Sequence, residues 1–286
     1  MRVGDYASTR CARPVLQSLF VSAPATWFHR QRRTTRPQWK KPETKHTHHR
    51  YLATTFKKTS PSNRSIPMKI ALMNEFSQAA KNPVILQQLN DVASEQGHSV
   101  FNVGMDGDND HCLTYIHLGI VASLLLNSKA VDFVVAGCGT GQGAMMSLNA
   151  HPGVFCGYCI EPTDAYLFAQ VNNGNALSLA FAKGYGWGAE INVRYIFEKA
   201  FSGERGMGYP AERRESQAAN AGILTQVKQA TAKSYLDGLR AIDPELIKQA
   251  IGGARFQQCF FDNAQDAEIR NFVAGLLGKT EAAAAA

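Results

Sequence analysis

A cysteine flanked by glycines at the end of an apolar segment is the feature of this sequence that most directly suggests chemistry. Residues 131–137 read Val-Asp-Phe-Val-Val-Ala-Gly, and residues 138–143 read Cys-Gly-Thr-Gly-Gln-Gly. A glycine-rich turn between a strand and a helix presents backbone N–H groups to an anion, and the positive end of the helix dipole strengthens that field. Cys138 lies at the edge of this turn, where a nucleophile or a base would act.

This glycine turn, residues 138–143, predicts the centre of a catalytic site. Cys138 and Thr140 are the candidate catalytic residues, and the candidate substrate-binding residues within the turn are Gly139, Gly141, Gln142 and Gly143. The pattern lacks the glycine spacing of a dinucleotide-binding fingerprint and the Lys-Ser/Thr pair of a P-loop. The alternative is a structural turn with a cysteine that packs in the core.

The positive charge of the chain is concentrated at its N-terminus. The formal net charge is +7, yet residues 1–67 hold 14 of the 30 Lys and Arg and only 2 of the 23 Asp and Glu. The remaining residues carry 16 basic and 21 acidic side chains. Their net negative charge argues against nucleic-acid binding by the folded part of the chain. Residues 1–67 are predicted to be a disordered basic leader. It is interpreted as a mitochondrial transit peptide or as a segment upstream of a true start at Met68, with a nucleic-acid-binding arm as a third alternative.

The six cysteines show neither the paired spacing of a metal site nor the density of a disulfide scaffold. Cys156 and Cys159 match a C-x-x-C spacing, but their apolar flanks predict a strand in which the two side chains point to opposite faces. No run of 18 apolar residues occurs, so no membrane association is expected. We therefore expect a cytoplasmic protein without a metal site, or a mitochondrial one if residues 1–67 act as a transit peptide.

Beyond Met68, predicted strands and helices alternate. The predicted strands cover residues 69–74, 99–103, 131–137, 154–160 and 176–180. The predicted helices cover residues 83–96, 113–126, 141–149, 162–171 and 189–201. Apolar strands separated by helices predict an α/β fold over residues 68–202, a Rossmann-like three-layer sandwich with a five-stranded parallel sheet. Residues 203–279 predict an all-helical extension, with helices over 220–239, from Pro244, and over 265–277, before a disordered tail at 280–286.

Ligands of such folds bind beyond the carboxyl ends of the strands. Four predicted strand ends bring candidate residues to that edge, namely Glu75, Gly104, Cys138 and Glu161. The turn Asn-Asn-Gly-Asn at 172–175 precedes the fifth strand, so it would reach the same crevice only if its helix ended nearby.

In combination, these motifs resemble the family of type B ribose-5-phosphate isomerases and galactose-6-phosphate isomerases. The resemblance covers residues 68–201 and rests on Met68-Lys-Ile-Ala-Leu, Gly137-Cys-Gly-Thr-Gly-x-Gly143, Gly153-Val, Glu161-Pro162 and Asn172-x-x-Asn175-Ala-Leu. The helical tail, with Tyr209-Pro and Phe260-Phe-Asp-Asn263, looks like a longer branch that includes 4-deoxy-L-threo-5-hexosulose-uronate ketol-isomerases.

The resemblance implies an enzyme that interconverts aldoses and ketoses through a cis-enediolate, without metal or organic cofactor. It implies that Cys138 moves a proton between adjacent carbons while the amides of residues 139–143 hold the developing oxyanion. Glu75 and Asn172 match substrate-binding positions, and Arg213 is a weaker match to an arginine that binds the anionic end of the substrate. A homodimer or homotetramer with sites at the subunit interface is also implied.

Three departures from the family pattern bear on which sugar the enzyme binds. Val171 stands where sugar-phosphate members carry a ring-opening histidine, Phe76 replaces a second histidine, and Tyr209 replaces one of two phosphate-binding arginines. These losses favour an open-chain keto-sugar acid as the substrate of a ketol-isomerase. A ribose-5-phosphate or galactose-6-phosphate isomerase is the alternative within the class, and a noncatalytic sugar-binding module is the alternative from another class.

Overall fold

The computed structural model describes residues 66–279, in which five parallel strands form one sheet. The strands are β1 (Lys69–Asn74), β2 (Ser99–Asn102), β3 (Phe133–Cys138), β4 (Cys156–Cys159) and β5 (Ala176–Ala180). Their order across the sheet is β2-β1-β3-β5-β4, and every neighbouring pair is parallel. The predicted five-stranded parallel sheet is confirmed, whereas the predictions for the leader up to residue 65 and for the tail 280–286 lie outside the described residues.

Helices connect the strands at the predicted places. They are α1 (Asn82–Glu95), α2 (Tyr115–Asn127), α3 (Gln142–Asn149), α4 (Pro162–Leu167) and α5 (Ala189–Ala200). A 3-10 helix, Phe76–Lys81, precedes α1, and a π-turn, Phe168–Asn172, continues α4. The helix predicted over 162–171 therefore ends as an α-helix at Leu167. Within residues 66–279, no helix is both long and apolar enough to cross a membrane.

The sheet has a core on each face, which makes a three-layer sandwich. On one face, Leu72 and Val135 pack with residues of α1 and α5; on the other, Met73 and Ala136 pack with residues of α2 and α3. Because side chains alternate along a strand, Cys156 joins the second core and Cys159 the first. The expectation that these two cysteines point to opposite faces is confirmed.

The C-terminal residues are helical, as predicted, but they form five helices instead of the three predicted. The helices are α6 (Arg214–Thr231), α7 (Tyr235–Arg240), α8 (Pro244–Ile251), α9 (Ala254–Asn263) and α10 (Ala267–Leu276). The single helix predicted over 220–239 is two helices, because the Ser234 side chain accepts the Asp237 N–H at 3.3 Å and starts α7 anew. Ile251 of α8 and Phe260 of α9 share the core of α2, whereas α6 has no buried residue.

Candidate active site

Glu75 and Cys138 come together at the carboxyl edge of the sheet. The chain leaves β1 toward β2 on one side and leaves β3 toward the other side, so a crevice opens between the ends of β1 and β3. Asn74 pairs with Gly137, and the Glu75 N–H donates to the Gly137 carbonyl at 3.3 Å. Glu75 and Cys138 are the next pair in this register, and neighbouring strands lie about 4.8 Å apart.

The glycine turn is packed tightly against β5. Gly141 has a φ of 75°, and a Cβ atom there would lie 2.7 Å from the Tyr158 ring and 2.9 Å from the Leu179 carbonyl oxygen. The buried Ser178 hydroxyl donates to the Gly141 carbonyl at 2.6 Å. Position 141 therefore requires glycine for its backbone conformation as well as for its contacts.

The amides of this turn are arranged to receive an anion. The first hydrogen bond of α3 runs from Met145 N–H to the Gly141 carbonyl at 3.0 Å, and the Gln142 N–H donates to the Thr140 hydroxyl at 3.4 Å. Among residues 66–279, the N–H groups of Thr140, Gly141 and Gly143 have no acceptor. Cys138 beside them is 7 % exposed. Free N–H groups at a helix start, next to a nearly buried thiol, are suited to hold an oxyanion while the sulfur handles a proton.

The Glu75 carboxylate is held in place by its neighbours. Glu75 is 4 % exposed and accepts the Ser77 N–H at 3.2 Å and the Ser77 hydroxyl. The Gln78 side-chain amide donates to that hydroxyl at 2.9 Å and also lies beside Gly139. This chain of contacts connects the carboxylate to the glycine turn, so its position is fixed before a substrate binds.

Two further side chains lie at this edge, and sequence reasoning did not identify them. Tyr115 places its ring against Gly143, where a Cβ atom would lie 3.2 Å from the ring, and is 39 % exposed. Lys81 donates to Gln78 Oε1 at 2.8 Å and to the Phe181 carbonyl, and burial lowers its pKa. Both residues follow a predicted strand along the chain, and that order is the only sequence signal that would have suggested them.

Asn172 and Arg213 lie away from Cys138 within the same chain. Ala176 pairs with Val134 at the amino end of β5, and Cys138 is four residues further along β3, about 13 Å away at 3.3 Å per residue. Asn172 precedes Ala176 and is exposed. Arg213 is also exposed, and α6, which follows it, contacts the π-turn that ends at Asn172. The predicted site residues therefore fall into two groups in one chain.

Asn172, although not Arg213, lines a cavity away from Cys138. Its volume is about 270 Å³, and it is lined by Asn172 and Asn173 on one side and on the other by α6 residues that include Ala218, Gly222 and Thr225. Asn173 has a φ of 50°, as expected for an asparagine in a tight turn.

The other two predicted strand ends have structural roles. Glu161 is the N-cap residue of α4, where its N–H donates to Asp164 Oδ2 at 3.3 Å, and β5 separates its strand from β3. Gly104 packs on β1, since a Cβ atom there would lie 2.2 Å from the Asn74 nitrogen. Of the four strand ends, those of β1 and β3 form the crevice.

Two family models together match most of the residues that the structure describes. A model described as Ribose/Galactose Isomerase matches residues 70–205, and one described as Ribose-5-phosphate isomerase matches residues 230–276. None of the curated proteins matches the chain.

Solved structures give longer alignments. A ribose-5-phosphate isomerase from Vibrio parahaemolyticus is 66 % identical, with 74 % of this chain and 100 % of that one covered and a TM-score of 0.73. A 4-deoxy-L-threo-5-hexosulose-uronate ketol-isomerase, solved with a tartrate, is 50 % identical with the same coverage and a TM-score of 0.72. A type B ribose 5-phosphate isomerase from Trypanosoma cruzi, 17 % identical over 58 % of this chain and 100 % of that one, shows the fold alone at a TM-score of 0.50. Since a 66 % identical relative aligns over its whole length, this chain belongs to the ribose/galactose isomerase family and is a sugar isomerase.

Proposed function

We propose that this sugar isomerase is a cofactor-independent ketol-isomerase that acts on an open-chain keto-sugar acid through a cis-enediolate. The observation that carries the proposal is the position of Cys138 beside the amides of the glycine turn that have no acceptor among residues 66–279. Proton transfer between adjacent carbons needs a base next to donors that face the developing oxyanion.

In the proposed reaction, the Cys138 thiolate removes the proton from the carbon next to the carbonyl. The carbonyl oxygen becomes an enediolate oxyanion, which the N–H groups of Thr140, Gly141 and Gly143 stabilise. The thiol then returns the proton to the former carbonyl carbon, while the hydroxyl proton of the other carbon passes to the oxyanion; one carbon is oxidised, the other is reduced, and no atom is gained or lost. One such donor contributes about 3 kcal/mol to the transition state in comparable oxyanion sites. Glu75, the register neighbour of Cys138, accepts hydrogen bonds from substrate hydroxyl groups.

We infer that a second copy of the chain completes the site in a homodimer or homotetramer. Asn172 precedes Ala176, which lies about 13 Å along the sheet from Cys138 in one chain, and the helix after Arg213 contacts the turn that ends at Asn172, so the pair that meets a given Cys138 belongs to the partner. Helix α6 supports this arrangement, because Ile223, Leu224 and Val227 on it are each more than half exposed. Apolar side chains grouped on an exposed helix suit a contact with another protein surface.

The proposed partners of the enzyme are its second copy and a small sugar, without nucleic acid or membrane. The cytoplasm is the proposed location, and the mitochondrion is the alternative if residues 1–67 act as a transit peptide.

A keto-sugar acid is favoured because the ring-opening histidine is absent. Val171, which stands at that position, is next to Asn172 and has no proton to give. A relative that is 50 % identical is named a uronate ketol-isomerase. Ribose 5-phosphate is the second candidate, because the 66 % identical relative is named a ribose-5-phosphate isomerase.

The test compares turnover of the two sugars by the purified chain. We expect kcat/KM for 4-deoxy-5-hexosulose-uronate to exceed that for ribose 5-phosphate by about 100-fold or more, since a polar site rejects a ligand that leaves its groups unpaired. Cys138→Ala should abolish turnover, and Cys259→Ala, which removes a thiol from the extension, should not. Turnover of ribose 5-phosphate alone would establish the sugar-phosphate assignment, and binding of either sugar without turnover would favour the noncatalytic module.

A further inference from the structure

The loop between β2 and α2, residues 103–114, is hydrogen-bonded to the two neighbours of Glu75 in the chain. The Met105 N–H donates to the Asn74 carbonyl at 3.0 Å, and the Phe76 N–H donates to the Leu113 carbonyl at 2.8 Å. Asn74 and Phe76 are the residues immediately before and after Glu75. The two ends of the β2–α2 loop are therefore hydrogen-bonded to the backbone on either side of this carboxylate.

Arg255 of α9 holds the same loop from the helical extension. Its guanidinium contacts the Asp106 carboxylate at 2.6 Å, the Asp110 carboxylate and the Gly104 carbonyl. A guanidinium carries a permanent charge and a planar set of five donors, so it binds two carboxylates and a carbonyl together as an ammonium group does not. Arg255 thus ties three points of the loop to one side chain.

A second contact reinforces this connection. The His111 ring nitrogen Nε2 is within hydrogen-bond distance of the Gln249 carbonyl. The turn between α8 and α9 also lies against this ring, since a Cβ atom on Gly252 would be 2.7 Å from His111 Cε1. The extension is docked independently of these polar contacts, because Phe256 and Phe260 of α9 are buried in the core.

We propose that Arg255 is a positioning residue of the isomerase, which holds Glu75 in register with Cys138 through the β2–α2 loop. The inference rests on the proposed function in one respect, namely that Glu75 contacts the sugar. It gives helix α9 of the extension a role in catalysis, because Arg255 on this helix fixes the loop that forms one wall of the crevice.

The first test is a double-mutant cycle between Arg255 and Glu75. In the otherwise unchanged enzyme, Arg255→Met should lower kcat/KM for the sugar that is turned over by about tenfold, whereas in a Glu75→Gln background the same change should cost less than about twofold. Arg255→Lys should recover part of the loss. Arg240→Met is the matched control, because Arg240 lies on α7, is exposed and contacts one carboxylate, Asp237, at 3.1 Å. An equal loss in both backgrounds would show that Arg255 only stabilises the fold and would overturn the proposal.

The second test does not depend on which sugar is turned over. Hydrogen exchange of the Phe76 and Met105 amides should become about tenfold faster or more in Arg255→Met and stay unchanged in Arg240→Met, because local opening exposes the amides that the loop protects. Asp110→Asn, a milder change at the same contact, should accelerate the same two amides. Unchanged exchange at Phe76 would overturn the positioning role even if the enzyme is active. Conversely, a wild-type chain that turns over no sugar would refute the proposed function, while the exchange result would still report on the loop.

Discussion

The division of the site residues between the two ends of β5 predicts that two inactive variants restore each other's activity. Cys138→Ala removes the proposed base, and Asn172→Ala removes a proposed substrate contact at the other end of the sheet. Val134 pairs with Ala176 and Cys138 with Ala180, so about 13 Å of strand separates the two groups even before the three residues between Asn172 and Ala176 are counted. In the proposed two-subunit site, a sugar bound at Cys138 therefore meets the partner's Asn172.

The expected magnitude follows from the symmetry of a dimer. When equal amounts of the two variants are unfolded and refolded together, half of the dimers contain one chain of each kind. Each mixed dimer has one complete site and one that lacks both groups, so the mixture should recover about a quarter of the wild-type activity. The assay is turnover of the keto-sugar acid, measured for each variant alone and for the refolded mixture.

Cys138→Ala mixed with Glu75→Gln is the matched control. Both of these residues belong to the group at the carboxyl edge of one chain, so no mixed dimer of this pair has a complete site and no activity should return. A mixture of Cys138→Ala and Asn172→Ala that stays inactive, although native mass measurement shows mixed dimers, would refute the two-subunit site.

Three predictions concern the parts that hold the site. Ser178→Ala should lower the free energy of unfolding by about 1–3 kcal/mol in urea titrations and reduce kcat, because it leaves the Gly141 carbonyl without the donor at 2.6 Å. Gly141→Ala should lower the free energy of unfolding by at least about 2 kcal/mol and remove most of the activity, since its φ is 75° and its Cβ would meet Tyr158. Gly139→Ala is the control and should fold normally, because its Cβ would lie 3.7 and 3.8 Å from the nearest atoms. Burial, with the nearby charge of His111, lowers the pKa of His117 to about 4. The unfolded chain binds that proton near pH 6.5 and the folded chain only near pH 4, so the free energy of unfolding should fall by up to about 3 kcal/mol as the pH decreases through this window, and His117→Phe should remove this part of the pH dependence.

The order of strands and helices could be predicted from the sequence because each element has a local signal. The apolar β3 and the glycine turn after it define the centre of the sheet, and Pro162 begins α4 as expected. The order of strands across the sheet could not be predicted in the same way. Strand β5 inserts between β3 and β4, and that insertion, which has no local sequence signal, moves Glu161 out of the crevice.

The helix boundaries that were predicted wrongly in the helical extension do have local sequence signals. Ser234, three residues before Asp237, is a helix-start pattern that divides the helix predicted over 220–239. Helix α9 could have been predicted from the spacing of Phe256, Cys259 and Phe260, which lie on one helix face. The separation of Asn172 from Cys138 could also have been predicted, because a turn that precedes a parallel strand lies at the opposite edge of the sheet from a turn that follows a strand. The contact of Arg255 with the β2–α2 loop had no such signal, since it joins residues nearly 150 positions apart.

The most direct test of the central claim is proton NMR of the reaction in D₂O, with the wild-type chain and with Cys138→Ala that has the same melting temperature. Deuterium enters the receiving carbon when the proton on the Cys138 thiol exchanges with solvent before it returns, so the account predicts that the wild type forms an isomer that carries deuterium on this carbon. Cys138→Ala should form neither isomer nor deuterated substrate. Undiminished isomer formation, or undiminished deuterium incorporation, by Cys138→Ala would contradict proton transfer by Cys138 through an enediolate.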